Sequence, residues 1–303
     1  MAPFWRNTRF WRFAGQAIAV VLIIFSLAFL GNNLTRNLRQ LGIQFGFNFL
    51  KSQAGFTIGD IPFAYKPSDS YNLALLVGLL NSLRVIIVGI GLATAIGVTA
   101  GIARLSDNWL VQKLATIYVE GLRNTPLLLQ LFFWYFAVFL SLPTPEDAIS
   151  LGFINFSNRG VGLFGLQLSP EFSALLAGLT LYTGTFIAEI VRGGIQSVPK
   201  GQWEAARSLG LNPTLLMRLV IFPQALRAII PPLSNQYLNL AKNSSLAIAV
   251  GYPDLYAIAS TTFNQTGRAV EVMILICATY LIISLSISFL MNFYNRSVQI
   301  VER

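Results

Sequence analysis

Histidine is absent from all 303 residues, which removes every site that needs an imidazole ligand or an imidazole base. The one cysteine, Cys277, lies inside an apolar run and has no second thiol to form an internal disulfide. Charged residues make up only 11% of the chain, well below the quarter or so usual in a soluble domain. No G-x-x-x-x-G-K-[ST] phosphate loop occurs, so nucleotide-driven work must draw on another polypeptide. What the chain has in quantity is apolar surface: 54% hydrophobic residues and a mean hydropathy of +0.62. Apolar runs of roughly twenty residues recur, which makes the bilayer the solvent. The formal charge of +9 is scattered among connecting segments, as the positive-inside rule demands, so no nucleic-acid partner is expected.

Six runs read as membrane spans: residues 14–31, 83–104, 114–140, 172–191, 225–250 and 269–292. The first follows Arg6, Arg9 and Arg12. It is long for a signal-peptide core and lacks a small-residue cleavage pattern behind it, so it reads as a retained span. Residues 32–70 read as an outer segment with an amphipathic helix at the interface, and residues 71–82 as an elbow leading into the second span. Gly97 and Gly101 put two small residues on one face of that span, where another backbone can approach. Pro126 should break the third span within EGLRNTPLLLQLF, because it removes one N–H from the helical ladder. Residues 142–170 and the stretch holding Tyr252, Asp254 and Arg268 read as outer loops. Six spans leave both termini on one side, and the segments assigned inside hold 12 Lys and Arg against 6 outside, which puts that side in the cytoplasm.

One connection is too ordered for a plain loop. Between the fourth and fifth spans, PKGQWEAARSLGLNPTLLMRLVIFP runs from Pro199 to Pro223. Pro199 can open a helix and Gly210 can close it in a left-handed cap. Asn212-Pro213 punctuates, and Thr214 to Phe222 reads as a second short helix stopping before Pro223. These residues resemble the EAA loop of ABC-transporter permeases: Glu204, Ala205, Ala206, then Gly210, with Val220, Phe222 and Pro223 behind. The usual pattern has Ile and Leu where this chain has Val220 and Phe222. The resemblance implies a coupling helix that docks in a cleft on an ATPase subunit, with Ala205 and Ala206 small enough to sit in the groove and Glu204 and Arg207 as rim charges.

The intramembrane charges are Arg84, Arg123, Lys242, Glu120 and Glu189. Each costs on the order of 3 kcal/mol at a span centre unless it faces a cavity or a partner. Arg84, near a span end, is expected to snorkel to the headgroups, and Glu189 is spaced to pair with Arg192. Arg123 lies beside the proline break, and Lys242 follows Pro231-Pro232 and precedes Asn243, Ser244 and Ser245. Such breaks beside cations suit a small polar ligand.

The segments RNTPLLLQLF, AEIVRGGIQSVPKGQWEAA and NLAKNSSL resemble the permeases of polar amino-acid ABC importers, the group of the histidine, arginine and glutamine systems. FSNRGV at residues 156–161 and the extra first span resemble their longer, general L-amino-acid type. The resemblance implies an all-α membrane protein with a five-helix permease core at residues 71–303, its coupling loop at 192–224, preceded by a span and outer segment at 1–70. It implies no cofactor in this chain, ATP and Mg bound by a partner ATPase, a second permease (a heterodimer is favoured), and a periplasmic amino-acid-binding protein. The location would be the bacterial inner membrane. Where members hold substrate within the membrane, the matching positions here are Arg123, Thr125, Tyr182, Thr183, Thr185, Glu189, Lys242, Asn243 and Ser244. The alternative is an ion-coupled secondary amino-acid transporter, which needs carboxylates deep in the bundle and often an internal repeat. No repeat is visible, and such a transporter has no use for an ordered coupling loop.

Overall fold

The structure, a computed structural model, describes residues 8–40, 42 and 45–298. Arg6 and Arg303, two of the cations counted for the cytoplasmic side, lie outside the described residues. The chain forms two compact units, Met1–Asn48 and Phe49–Arg303, dividing earlier than the boundary at 70 expected from the sequence. The first unit holds α1 (Thr8–Gln40), of which Trp11–Asn37 is long and apolar enough to cross a membrane. Its Val20 to Phe25 side chains are all exposed, as lipid-facing positions would be.

The second unit is built on α2 (Tyr71–Ala103), α3 (Trp109–Arg123), α4 (Leu127–Phe132), α5 (Pro170–Gln196), α6 (Lys200–Ser208), α7 (Pro213–Leu216), α8 (Phe222–Asn243), α9 (Leu255–Thr266) and α10 (Ala269–Val298). Spanning length is reached by α2, by α5, by the stretch Pro213–Val250 and by α10. The bent pair Trp109–Arg123 and Leu127–Ser141, turned by 106° at the proline break, would add one more span.

The helices α2 and α5 form the central contact. A Cβ added at Gly97 would lie 2.5 Å from Cβ of Ile187, and one at Gly101 2.6 Å from the Ala188 carbonyl, so side chains at either position would push the helices apart. Around this seam Ile187, Val191, Ala225, Ile229 and Leu240 are buried together, joining α5 to α8. A second cluster unites α4, α5 and the turn at Ala247 to Tyr252.

Four expectations need correction. Residues 71–82 are no elbow: α2 runs unbroken from Tyr71, because its polar residues find partners without a bend. Asn81 Nδ2 donates to the carbonyls of Asp60 (2.7 Å) and Pro253 (3.0 Å), and Ser82 Oγ accepts from the Leu255 N–H (3.0 Å). Of the segment 32–70 expected to hold a separate interfacial helix, residues 32–40 continue α1, and the described residues of 41–70 carry only a four-residue 3-10 turn at Asn48–Lys51. That stretch instead buries Ala54, Ile58 and Tyr65 against Tyr71 and Leu255. Residues 142–170 carry an antiparallel meander of β1 (Ile149–Leu151), β2 (Ile154–Ser157), β3 (Gly160–Leu163) and β4 (Leu166–Leu168), in register at Ile149 with Phe156, Ile154 with Leu163 and Val161 with Leu168. The stretch after Tyr252 contains the twelve-residue α9, capped by Asp254 Oδ1 accepting from the Ala257 N–H at 2.8 Å.

Candidate functional site

The coupling stretch sits where α5 ends. Pro199, in extended backbone (φ −54°, ψ 139°), starts α6. Gly210, at φ +74°, ends it in the left-handed region. Its N–H bonds the Arg207 carbonyl (2.9 Å) while the Leu211 N–H bonds that of Ala206 (3.2 Å), the pair of bonds that locks a helix end into a fixed turn. Asn212 Oδ1 accepts from the Leu215 N–H at 2.9 Å and starts α7. The expected stop before Pro223 does not occur. A wide turn over Met217–Ile221 absorbs the register, and Pro223 falls in the first turn of α8, where a missing N–H costs nothing.

On α6 the helical period sorts the residues. Ala206 is buried in the chain's own core and Trp203 is half-buried behind it, whereas Glu204, Ala205 and Arg207 are exposed. The expectation that both alanines meet a groove is corrected: only Ala205 points outward. Behind α6 lies a cavity of 420 Å³ lined by Leu105, Asp107, Gln196, Trp203, Arg207 and Met217 among others. Gln202 and Gln224 are hydrogen-bonded at 3.2 Å, tying α6 to the start of α8.

Just above this end, ion pairs join three helices. Glu189 Oε2 accepts from Arg104 Nη1 at 2.6 Å and from Arg192 Nε at 3.2 Å, and Oε1 accepts from Arg192 Nη2. Arg104 Nη2 also reaches Glu120 Oε1 at 3.4 Å. The expected Glu189–Arg192 pair is therefore present, but Arg104, with its side chain only 13% exposed, is its third member. Sequence reasoning missed it, because Arg104 stands 85 residues from Glu189; the one signal was a cation at the very end of an apolar run.

The expected ligand-facing residues divide. The Arg123 guanidinium lies 5.3 Å from the Phe186 ring centre, is exposed and makes no ion pair among the described residues. Tyr182 packs edge-on against the same ring at 5.0 Å. Thus Arg123, Tyr182 and, two helical turns beyond Tyr182, Glu189 share a neighbourhood on α3 and α5. Lys242 is exposed and Asn243 half-exposed at the end of α8. Thr125 is half-buried and donates to the Gly121 carbonyl. Thr183, Thr185 and Ser244 are buried; Thr185 Oγ1 donates to the Tyr182 carbonyl (2.7 Å) and Ser244 Oγ to that of Ala241 (2.8 Å), so these hydroxyls serve their own helices.

At the opposite end Arg84, expected to reach for headgroups, finds a partner within the protein. Its Nη1 pairs with Asp60 Oδ1 at 3.0 Å, and its guanidinium stacks on Phe172 at 5.2 Å. Asp60 Oδ2 accepts from Ser169 Oγ at 3.0 Å, so this carboxylate ties the 49–70 stretch to both α2 and the start of α5. Nearby, burial pushes the Asp254 carboxyl up to about 7 from its ordinary 3.8, against the opposing pull of backbone N–H donors.

The family model for the binding-protein-dependent transport system inner membrane component matches residues 81–300. The general L-amino acid transport system permease protein AapQ of Rhizobium johnstonii is 38% identical over 95% of this chain and 92% of its own. The glutamate/glutamine/aspartate/asparagine transport system permease protein BztB of Rhodobacter capsulatus is 36% identical over 98% and 96%. Among solved structures, one described as a crystal structure of an amino acid ABC transporter with histidines superposes with a TM-score of 0.61 at 30% identity, covering 75% of this chain and 95% of that one. With an ordered connection between two spans, a proline-broken helix and a match over most of its length, this chain belongs to the family of inner membrane components of binding-protein-dependent transport systems.

Proposed function

We propose that this chain is the non-catalytic membrane subunit of an ATP-driven importer of L-amino acids. Its α6 is the coupling helix, its termini face the cytoplasm, and a separate ATPase binds ATP and Mg. The observation that carries the reading is the closure of α6. Buried Ala206 and the Gly210 turn fix the helix to the core, so a push on exposed Glu204, Ala205 and Arg207 moves α5 and α8 with it. A tether without such order would absorb the push. ATP-dependent closure of two ATPase subunits would draw two such helices together. The permeases would then open outward to receive substrate from an external binding protein. A ligand shifts this equilibrium only by its differential affinity for the two states, so α6 must carry contacts that differ between them.

Within the membrane, Arg123 and Lys242 are the exposed cations suited to a substrate carboxylate, and Tyr182 lines the route beside Arg123. Glu189, held by two arginines, serves the scaffold before any ammonium. The relatives' names support amino acids as cargo, and the likeness to a general-type permease favours a heterodimer with a second permease. The test is purification from native membranes in mild detergent, with bound subunits identified and ATP hydrolysis assayed with each amino acid and its binding protein. An ATPase partner and amino-acid-stimulated turnover are expected. Recovery of the chain alone, with uptake that follows an ion gradient and ignores ATP, would overturn the proposal in favour of a secondary transporter.

A further inference from the structure

The proline break between α3 and α4 leaves carbonyls that a continuous helix would have satisfied. In an unbroken ladder the Leu122 carbonyl would accept from the N–H of residue 126, and Pro126 has none. That carbonyl keeps only a long bond from the Thr125 N–H, at 3.3 Å, and the side chain of Gln130, only 4% exposed, adds a shorter one. Its Nε2 donates one hydrogen to the Leu122 carbonyl at 2.7 Å and the other to the Thr125 carbonyl at 3.0 Å. One amide nitrogen therefore spends both its donors across the bend, one on the last turn of α3 and one on the residue before the proline. The glutamine is itself held. Its neighbour Leu131 on α4 is fully buried against α5, where a Cβ added at Gly178 would lie 2.5 Å from Leu131 Cδ2.

The two acceptors bracket Arg123, Asn124 and Thr125. Arg123 reaches Phe186 on α5 with no ion pair among the described residues to fix it, so its placement follows the backbone that carries it. We infer that Gln130 is a positioning residue for transport. By bridging the break it fixes the turn between α3 and α4, and through that turn it sets where Arg123 stands in the substrate route. The inference rests on the reading of this chain as an amino-acid permease.

The test uses the whole importer, with both ATPase subunits, its partner permease and the binding protein, in lipid nanodiscs and proteoliposomes. In a Cys277→Ala background, spin labels replace Leu114 and Leu140, both exposed and on opposite sides of the break. Gln130→Leu and Gln130→Met remove both donors. Either should broaden the 114–140 distance distribution and raise the half-saturating binding-protein-delivered substrate concentration about tenfold, the scale of a lost buried hydrogen bond. Basal ATP hydrolysis and recovery of the ATPase should stay within about twofold, because the coupling face is untouched. Gln130→His, which keeps one N–H at similar reach, should recover part of the wild-type value and still allows a decision if the other two variants fail to assemble. An unchanged distance distribution, a broadened one with normal half-saturation, or a histidine variant no better than leucine would each overturn the inference. If the wild-type complex takes up no amino acid with ATP, the functional reading fails and takes the transport half of the inference with it. The distance measurement still decides whether Gln130 pins the bend.

Discussion

Asp254 is the side chain whose ionisation the fold opposes most plainly outside the spans. Its carboxyl is pushed up to about 7 by burial, although it caps α9 and meets Tyr280 at 3.3 Å. The folded chain thus holds the proton more tightly than the unfolded one, whose Asp titrates near 3.9. Its contribution to stability is complete below about pH 4 and is lost as pH rises through about 7. Thermal melts of the purified complex should show a midpoint that falls between about pH 5 and pH 8. Asp254→Asn should flatten that slope, and an equally steep slope in the variant would assign it to other groups. Pairings of this kind were hard to see in the sequence. Arg84 lies 24 residues from Asp60, in a stretch without regular structure, so nothing in the pattern joined them. Glu189 and Arg192, three apart on one helix, were legible at once.

Helical elements were legible where one residue type decides. Pro126 announced the break, and Gly210 announced the end of α6. The meander at 149–168 escaped notice because its strands are three or four residues long, too short for alternation to emerge. The α7–α8 junction was misread because a wide turn removes the clash a proline would otherwise cause. Two substitutions test the elements. Ala205→Glu adds bulk and charge on the exposed side of α6, and Gly210→Pro forbids the left-handed turn at φ +74°. Both should abolish amino-acid-stimulated ATP hydrolysis while the subunit still inserts. Normal coupling by an inserted Ala205→Glu protein would remove α6 from the docking role. At the other seam, Gly97→Val should lower stability by about 1–3 kcal/mol, since its side chain must enter space held by Ile187. An unshifted melt would show that α2 and α5 can slide apart freely.

At the scale of the second unit as a whole, the two ends differ in how they are held. One end is closed by the ion pairs of Glu189 and by α6, the other by a strap of residues 49–70 fastened through Asp60. Asp60→Asn keeps the shape but loses the charge that meets Arg84. Limited proteolysis of the assembled protein should then cut faster within 49–70, and an unchanged rate would mean that the buried tyrosines alone secure the strap. The same carboxylate bears on biogenesis. Asp60 leaves the ribosome before Arg84 does, whereas the Pro253 carbonyl that completes Asn81 emerges 172 residues after that asparagine. An arginine entering the bilayer alone is disfavoured by about 2.5–3.5 kcal/mol. Here the translocon receives α2 with its counter-ion already made, so the helix can insert with Arg84 neutralised long before the rest of the bundle exists to shelter it.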